Sequence, residues 1–280
     1  MPLHGLHHVT AITADAPRNV DFYAGTLGLR LVKKTVNYDS PDVYHLYYGD
    51  ERGAPGSIMT FFEFPAAARG RAGAGMVHTV VWRVASEAAL EFWAERLSAP
   101  LADGTVRARD PEGLAIEIVV ADGPALAAIA PDVPAEHALQ GIEGVRANAA
   151  APERSAAVLS RLDLGRIFAF EPAPAERGLQ GAGTVHHVAW AAGDGDLDAW
   201  RGELRAVGAQ PTPIIDRTYF RSVYFREPSG VLFELATLAP GFAVDEPPEL
   251  LGSSLVLPAQ QEHLRERLER MLTPVANPRS

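Results

Sequence analysis

The run Thr184-Val185-His186-His187-Val188-Ala189-Trp190, read with Gly230-Val231-Leu232-Phe233-Glu234-Leu235-Ala236-Thr237, decides how this chain folds. Both are short apolar runs bounded by Gly and Pro turn signals, which is how a buried strand reads. One carries a His and the other a carboxylate, and the two can meet across a curved sheet if both side chains point inward. The N-terminus repeats the first run as Leu6-His7-His8-Val9-Thr10. Such self-similarity makes a search for internal repeats the next step.

One unit recurs four times. The first opens with a strand over Leu6 to Ile12. Asp15 is placed to cap a helix that takes Pro17 in its first turn, where a missing N–H costs nothing. Val20, Tyr23 and Leu27 share one helical face, and Gly28 ends the helix. Leu29 to Lys34, Val43 to Tyr48 and Ser57 to Phe64 read as three further strands. The second unit runs from a strand at Met76 to Val84, through a helix capped by Ser86 with Leu90, Trp93 and Leu97 at the same spacing, to a strand at Leu114 to Val120. Ala121 to Gln140, rich in Pro and Ala, reads as a linker. The third unit, from Gly141, places Ser155, Val158 and Leu162 on its helix and has the weakest strand signal, Arg166 to Glu171. The fourth places Leu197, Trp200 and Leu204 on its helix and ends in a hairpin, Phe220 to Arg226 and Val231 to Ala236. Trp82, Trp93, Trp190 and Trp200 sit at repeat positions and read as core. Gln260 to Leu272 predicts an amphipathic helix with Leu264, Leu268 and Met271 on one side.

The expected fold class is therefore α+β: four βαβββ modules in two tandem domains, with curved, partly open mixed sheets and a C-terminal helix. The module pairs divide as 1–123 and 138–240, and 241–280 forms a C-terminal extension. A single unit leaves a sheet face exposed, and pairing two buries it.

Composition excludes several functions. At 280 residues, 47% hydrophobic and 21% charged, the chain has the make-up of an ordinary globular protein able to bury a sizeable core. A formal charge of −10 disfavours nucleic acid and anionic membranes as partners. With no cysteine, disulfides and thiolate chemistry are out, which suits a reducing compartment. No signal-peptide pattern opens the sequence and no run approaches a membrane span, so a cytoplasmic location is expected.

Aligning the four opening strands on their apolar positions puts His8, Thr79, Gly144 and His187 in one column. Aligning the last strands on the preceding Gly puts Thr60, Glu117 and Glu234 in another. Only the first and fourth units offer a His, so a site built from them holds His8, His187 and Glu234, with Thr60 where a fourth ligand would stand. Two His and one carboxylate form the facial triad of non-haem Fe(II) sites, with positions left open. The alternative for the two His is a pair of satisfied core imidazoles, but Glu234 in Leu-Phe-Glu-Leu-Ala needs a partner to be buried, and a cation supplies one. Glu117, whose partner unit offers only Thr79 and Gly144, reads as a relic paired structurally. Adjacent strand residues point to opposite faces, so His7 and His186 are not direct ligands and a structural place on the other face is open to them. Thr10 shares the face of His8. Tyr44 and His45 read as hairpin core.

Four such units, with Leu6-His7-His8-Val9-Thr10, Val43-Tyr44-His45-Leu46-Tyr47-Tyr48, Val185-His186-His187-Val188-Ala189 and Arg217-Thr218-Tyr219-Phe220 followed by Tyr224-Phe225-Arg226, resemble the vicinal-oxygen-chelate superfamily. That superfamily takes in glyoxalase I, bleomycin-resistance proteins and extradiol dioxygenases, and the resemblance is to its hydroquinone ring-cleaving branch. It implies an Fe(II)-dependent dioxygenase acting on a substituted hydroquinone with O₂, with Mn(II) able to use the same ligands. It implies that the second His of each pair binds metal, and that His7, His186, Arg217 and Tyr224 manage protons and charge, with Thr10 in the pocket. Arg217 and Tyr224 have plainer alternatives, an ion pair with Asp216 and an ordinary strand aromatic. A metal-dependent glyoxalase-like lyase or isomerase, or a metal-free binding protein on the same fold, are the competing functions. A homo-oligomer is expected, since this scaffold often pairs.

Overall fold

The computed structural model describes residues 2–164 and 167–278. Among them are β1 (Leu3–Thr13), β2 (Arg30–Asn37), β3 (Ser40–Gly49), β4 (Ile58–Glu63), β5 (Met76–Val84), β6 (Leu101–Ala102), β7 (Thr105–Arg109) and β8 (Ala115–Val120). The later strands are β9 (Ile142–Ala149), β10 (Phe168–Pro172), β11 (Val185–Ala192), β12 (Ile215–Asp216), β13 (Arg221–Arg226) and β14 (Leu232–Thr237). They form two mixed sheets, ordered β12-β13-β14-β11-β1-β4-β3-β2 and β10-β9-β5-β8-β7-β6.

Within every unit the first and last strands are parallel neighbours: β1 with β4, β5 with β8, β9 with β10, and β11 with β14. Between units, first strands meet antiparallel, β1 with β11 and β5 with β9. The sheets therefore join unit one to unit four and unit two to unit three, crossing the sequence division at 1–123 and 138–240.

Helices follow the first strands. Asp15 caps α1 (Ala16–Val20), accepting from the Arg18 amide at 3.0 Å, and the chain continues as a π-helix over Asp21–Thr26. This turns Tyr23 onto Phe61, with ring centroids 4.5 Å apart. Ser86 caps α2 (Glu87–Arg96), whose Leu90 and Trp93 are buried. α3 (Glu153–Arg161) and α4 (Leu197–Ala206) occupy the same place in units three and four. All four tryptophans are buried in the core, where truncating one costs about 3–5 kcal/mol.

Two expectations differ. Unit three has one strand after its helix among the described residues rather than three. Amides of Ile167 and Phe168 bond back to the Leu164 carbonyl, so the chain passes directly into β10, which edges its sheet. Arg166, where that strand was expected to begin, lies outside the described residues. The C-terminal helix is a 3₁₀ segment at Ala259–Leu264 followed by α5 (Arg265–Met271). Leu268 is buried, but Met271 is exposed. The helix stops there, Leu272 adopts an extended backbone, and Leu272 turns into the core instead. Among the described residues no helix is long and apolar enough to cross a membrane.

Candidate metal centre

The register of the eight-stranded sheet builds the site. Thr10 on β1 lies opposite His187 on β11, and Ala189 on β11 lies beside Glu234 on β14. His8, His187 and Glu234 thus rise from three adjacent strands. Their candidate ligand atoms all lie within 4.8 Å of one another. Nε2 of His8 and Nε2 of His187 are 3.2 Å apart, and Glu234 Oε2 is 2.9 Å from His187 Nε2 and 3.3 Å from His8 Nε2. All three residues are buried.

Despite these short distances, Oε2 of Glu234 makes no aligned hydrogen bond, and it is fully buried. An orphaned buried carboxylate oxygen is costly unless a charge partner completes it. The other oxygen, Oε1, accepts from Ser222 Oγ at 2.5 Å. Burial would raise the Glu234 carboxyl, but the nearby imidazoles of His8 and His187 overcome this and hold it well below the usual range. Burial lowers His187. An ionised carboxylate facing imidazole nitrogens is a donor set that fits a divalent cation.

The remaining imidazoles stand directly behind this set. His7 Nδ1 is 2.9 Å from His8 Nδ1, and His186 Nδ1 is 2.8 Å from His187 Nδ1. Strand alternation predicts opposite faces, and the sheet breaks that rule in both places. Leu6 and His8 pair with consecutive β11 residues, Trp190 and Ala189, which leaves His7 as an extra residue; Thr10 and Ala11 pair with His187 and Val185, which leaves His186 extra. Each is a β-bulge, and a bulge re-aims the side chain it carries. If His8 and His187 donate from Nδ1, both present Nε2 lone pairs toward Glu234, the orientation a second partner imposes on a metal-binding His. Burial, then His8, lower His7 to about 3. The same kinds of cause lower His186, whose exposed edge lets solvent screen it more.

A cavity of about 440 Å³ opens over the cluster. Its walls include Ile12, Phe62, Phe64 and Phe220, which are apolar, and Arg217, Tyr224 and His45. Arg217 donates from Nε to the Tyr224 hydroxyl at 3.2 Å, and pairs with Asp39 at 3.2 Å rather than with Asp216. Tyr224 lies opposite Glu234 in the sheet. Its phenol is pushed up by burial and by Glu234. Thr10 is fully buried and accepts from Thr60 at 3.0 Å, so the single hydroxyl hydrogen of Thr60 is spent on Thr10.

Three residues at the site, Ser222, His45 and Tyr47, are not marked as such by the sequence. Ser222 was legible only as the same-face neighbour two positions before Tyr224. Tyr44 is core as expected, but His45 faces the cavity, together with Tyr47. In the other sheet Glu117 accepts from Arg146 at 2.8 Å, and no cluster of this kind forms there among the described residues.

Paired β-bulges carrying His, a carboxylate two strands away and a fold of four βα-led units define a class. The chain belongs to the Glyoxalase/Bleomycin resistance protein/Dioxygenase superfamily, whose model matches residues 5–98 and 75–235. Within it, the chain is 39% identical over 301 aligned residues, covering 96% of each sequence, to MhqO of Bacillus subtilis (strain 168), named as a ring-cleaving dioxygenase. It is 34% identical, again over 96% of each, to the chlorohydroquinone/hydroquinone 1,2-dioxygenase of Sphingobium indicum. A solved Bacillus subtilis structure described as a dioxygenase matches at TM-score 0.91 and 38% identity, covering 98% of both chains. Glyoxalase I from Zea mays, at TM-score 0.58 and 13% identity over 83% of this chain and 92% of that one, shares the fold.

Proposed function

We propose that this protein is a metal-dependent dioxygenase that opens the ring of a hydroquinone-type diol with O₂. His8, His187 and Glu234 would hold Fe(II), and Mn(II) would satisfy the same donors. Bound there, such a cation supplies a Lewis-acid and one-electron redox centre for the ring and O₂. The observation that carries the reading is the buried, orphaned Glu234 Oε2 facing two imidazole nitrogens at the floor of a ring-sized cavity.

The chain's own residues have separable tasks. His7 and His186 fix the imidazole orientations of His8 and His187 through their Nδ1 contacts. Ser222 fixes the carboxylate of Glu234. Phe62, Phe64 and Phe220 offer flat apolar contact to a ring and keep water from it. Because Arg217 donates to the Tyr224 oxygen, the Tyr224 hydroxyl hydrogen is left to donate to an oxyanion developing in the cavity. Thr60, held by Thr10, supports a three-ligand site over the four-ligand site of a glyoxalase-type isomerase.

The test is oxygen uptake by anaerobically iron-loaded protein given hydroquinone, methylhydroquinone, chlorohydroquinone and catechol in parallel. Uptake with the 1,4-diols and not with catechol is expected. One tightly held iron per chain with no uptake from any diol would defeat the dioxygenase reading.

A further inference from the structure

The cavity has a polar corner that the metal cluster does not use. His45 on β3 is half-buried on the cavity wall, with its ring 4.3 Å from Phe62 and 4.0 Å from Tyr47, centroid to centroid. Both of its nitrogens are engaged: Nε2 with Thr60 Oγ1 at 2.7 Å, and Nδ1 with the Tyr47 hydroxyl at 2.8 Å. The roles in this chain can be assigned. Thr60 has one hydroxyl hydrogen and donates it to Thr10, so it must accept from His45. A neutral imidazole then carries its hydrogen on Nε2 and its lone pair on Nδ1. Burial, then His8 and His187, lower His45 far below the usual histidine range, and burial raises Tyr47, so both are neutral. It follows that Tyr47 donates to His45 Nδ1. Its hydroxyl rotor is fixed, and only its oxygen lone pairs remain for a ligand in the cavity it lines.

The position of this corner matters as much as its polarity. Tyr47, Thr60, Thr10 and His187 form one row across β3, β4, β1 and β11. β3 stands two strands from β1, about 10 Å at the usual strand spacing. A ring held through one oxygen at the His8–His187–Glu234 cluster has its opposite end in that span. A 1,4-diol carries its second hydroxyl there, whereas a 1,2-diol keeps both oxygens at the cluster end.

We propose that Tyr47, locked as an acceptor by His45, receives the hydrogen of the substrate's distal hydroxyl, so that the cavity selects ring ligands bearing a hydrogen-bond donor opposite the metal-binding oxygen. The proposal rests on the function proposed above. Two tyrosines then face the ligand with opposite polarity: Tyr224 as donor, because Arg217 occupies its oxygen, and Tyr47 as acceptor, because His45 occupies its hydrogen. His45, Thr60 and Thr10 are positioning residues here, acting through Tyr47.

The experiment is calorimetric binding, under argon and without turnover, of hydroquinone and 4-methoxyphenol to the iron-loaded protein. Both ligands offer the metal the same phenol, and only hydroquinone offers a distal donor. A neutral hydrogen bond supports a preference for hydroquinone of about tenfold. Tyr47→Phe should erase the preference by weakening hydroquinone alone. His45→Phe should narrow it from the other side, because a freed Tyr47 rotor can donate to the methoxy oxygen. Should His45→Phe fail to fold, the conservative Tyr47→Phe decides. A preference that survives intact in Tyr47→Phe, or equal binding of both ligands by the unsubstituted protein, overturns the proposal and leaves the metal site standing. If neither phenol binds, the reading of the cavity as a phenol site falls with it.

Discussion

The two sheets are built to one plan and carry different chemistry. In each, the antiparallel first strands are bulged at matching places. His7 and His186 are the extra residues in one sheet; in the other they are His78, between Val77 and Thr79, and Glu143, between Ile142 and Gly144. His78 even reaches its neighbour as His7 does, with Nδ1 2.8 Å from Thr79 Oγ1. The fold therefore supplies a re-aimed side chain and a convergent column in both places. What differs is the neutralising partner. Glu234 faces two imidazoles and keeps an unpaired oxygen, while Glu117 is met by Arg146 at 2.8 Å and Arg107 at 3.4 Å. A guanidinium already fills in one sheet the role that a cation is left to fill in the other.

The strongest way to break this contrast is to remove one member from each column. His187→Ala should strip the bound metal, lowering affinity by more than the 10–100-fold an outer partner is worth. Glu117→Gln should leave metal content unchanged. Elemental analysis of both variants after gel filtration is the check. Retention of one metal per chain by His187→Ala would remove the distinction between the sheets.

Next in size is the acid response of metal-stripped protein. His7 is lowered to about 3 from an ordinary 6.5 by burial and His8. The folded state then binds fewer protons than the unfolded state below 6.5. Stability from this group is whole above about pH 6.5 and declines as pH falls toward 3, by a few kcal/mol in all. His187 and Glu234 are lowered too, so both act in the same direction, Glu234 at lower pH. In the second sheet His78 is lowered by burial, opposed by Glu171, but it is only partly buried. Urea titrations from pH 8 to 4 should therefore show a shallower slope for His7→Phe and a smaller change for His78→Phe. Equal slopes in the parent and His7→Phe would refute this account.

A third substitution asks why the second sheet lacks a His in the column of His187. A Cβ built on Gly144 meets the Ile167 carbonyl oxygen at 2.4 Å. The backbone of unit three has closed over the position where unit four presents an imidazole. Gly144→Ala should cost about 1–3 kcal/mol in the urea unfolding free energy through overpacking. A cost below about 0.5 kcal/mol would mean that the second sheet can accept a ligand there.

How far the sequence reveals this can be traced through particular residues. The columns of His8 with His187 and of Glu117 with Glu234 are visible because apolar periodicity and turn glycines align the units without any structure. The pairing of unit one with unit four follows from where the His fall. The bulges are not visible: strand alternation puts His7 and His8 on opposite faces, and only a register shift, which one sequence does not encode locally, brings their rings together. The cavity-facing place of His45 is hidden for a related reason. Alternation places it and Tyr47 on one face, and apolar character alone does not say whether that face is core or cavity. Ser222 lies in Arg-Ser-Val-Tyr-Phe-Arg, where nothing but its register with Glu234's strand marks it.

Ser222 gives the finest comparison between the sheets. It pairs with Ala236 on β14 as Thr105 pairs with Val119 on β8, so the two hydroxyls occupy matching positions. Ser222 donates to Glu234 Oε1, whereas Thr105 bonds its local carbonyl at Asp103 and leaves Glu117 to its arginines. Ser222→Ala leaves Oε1 without that donor and frees the carboxylate to turn, so metal affinity should fall about tenfold, the lower end for an outer partner. Thr105→Val should change nothing. Ser222→Thr, which keeps the hydroxyl, should restore most of the affinity in a chelator competition. Unchanged affinity in Ser222→Ala would show that the two imidazoles orient Glu234 unaided, and the hydroxyl would then be no more functional than its counterpart in the second sheet.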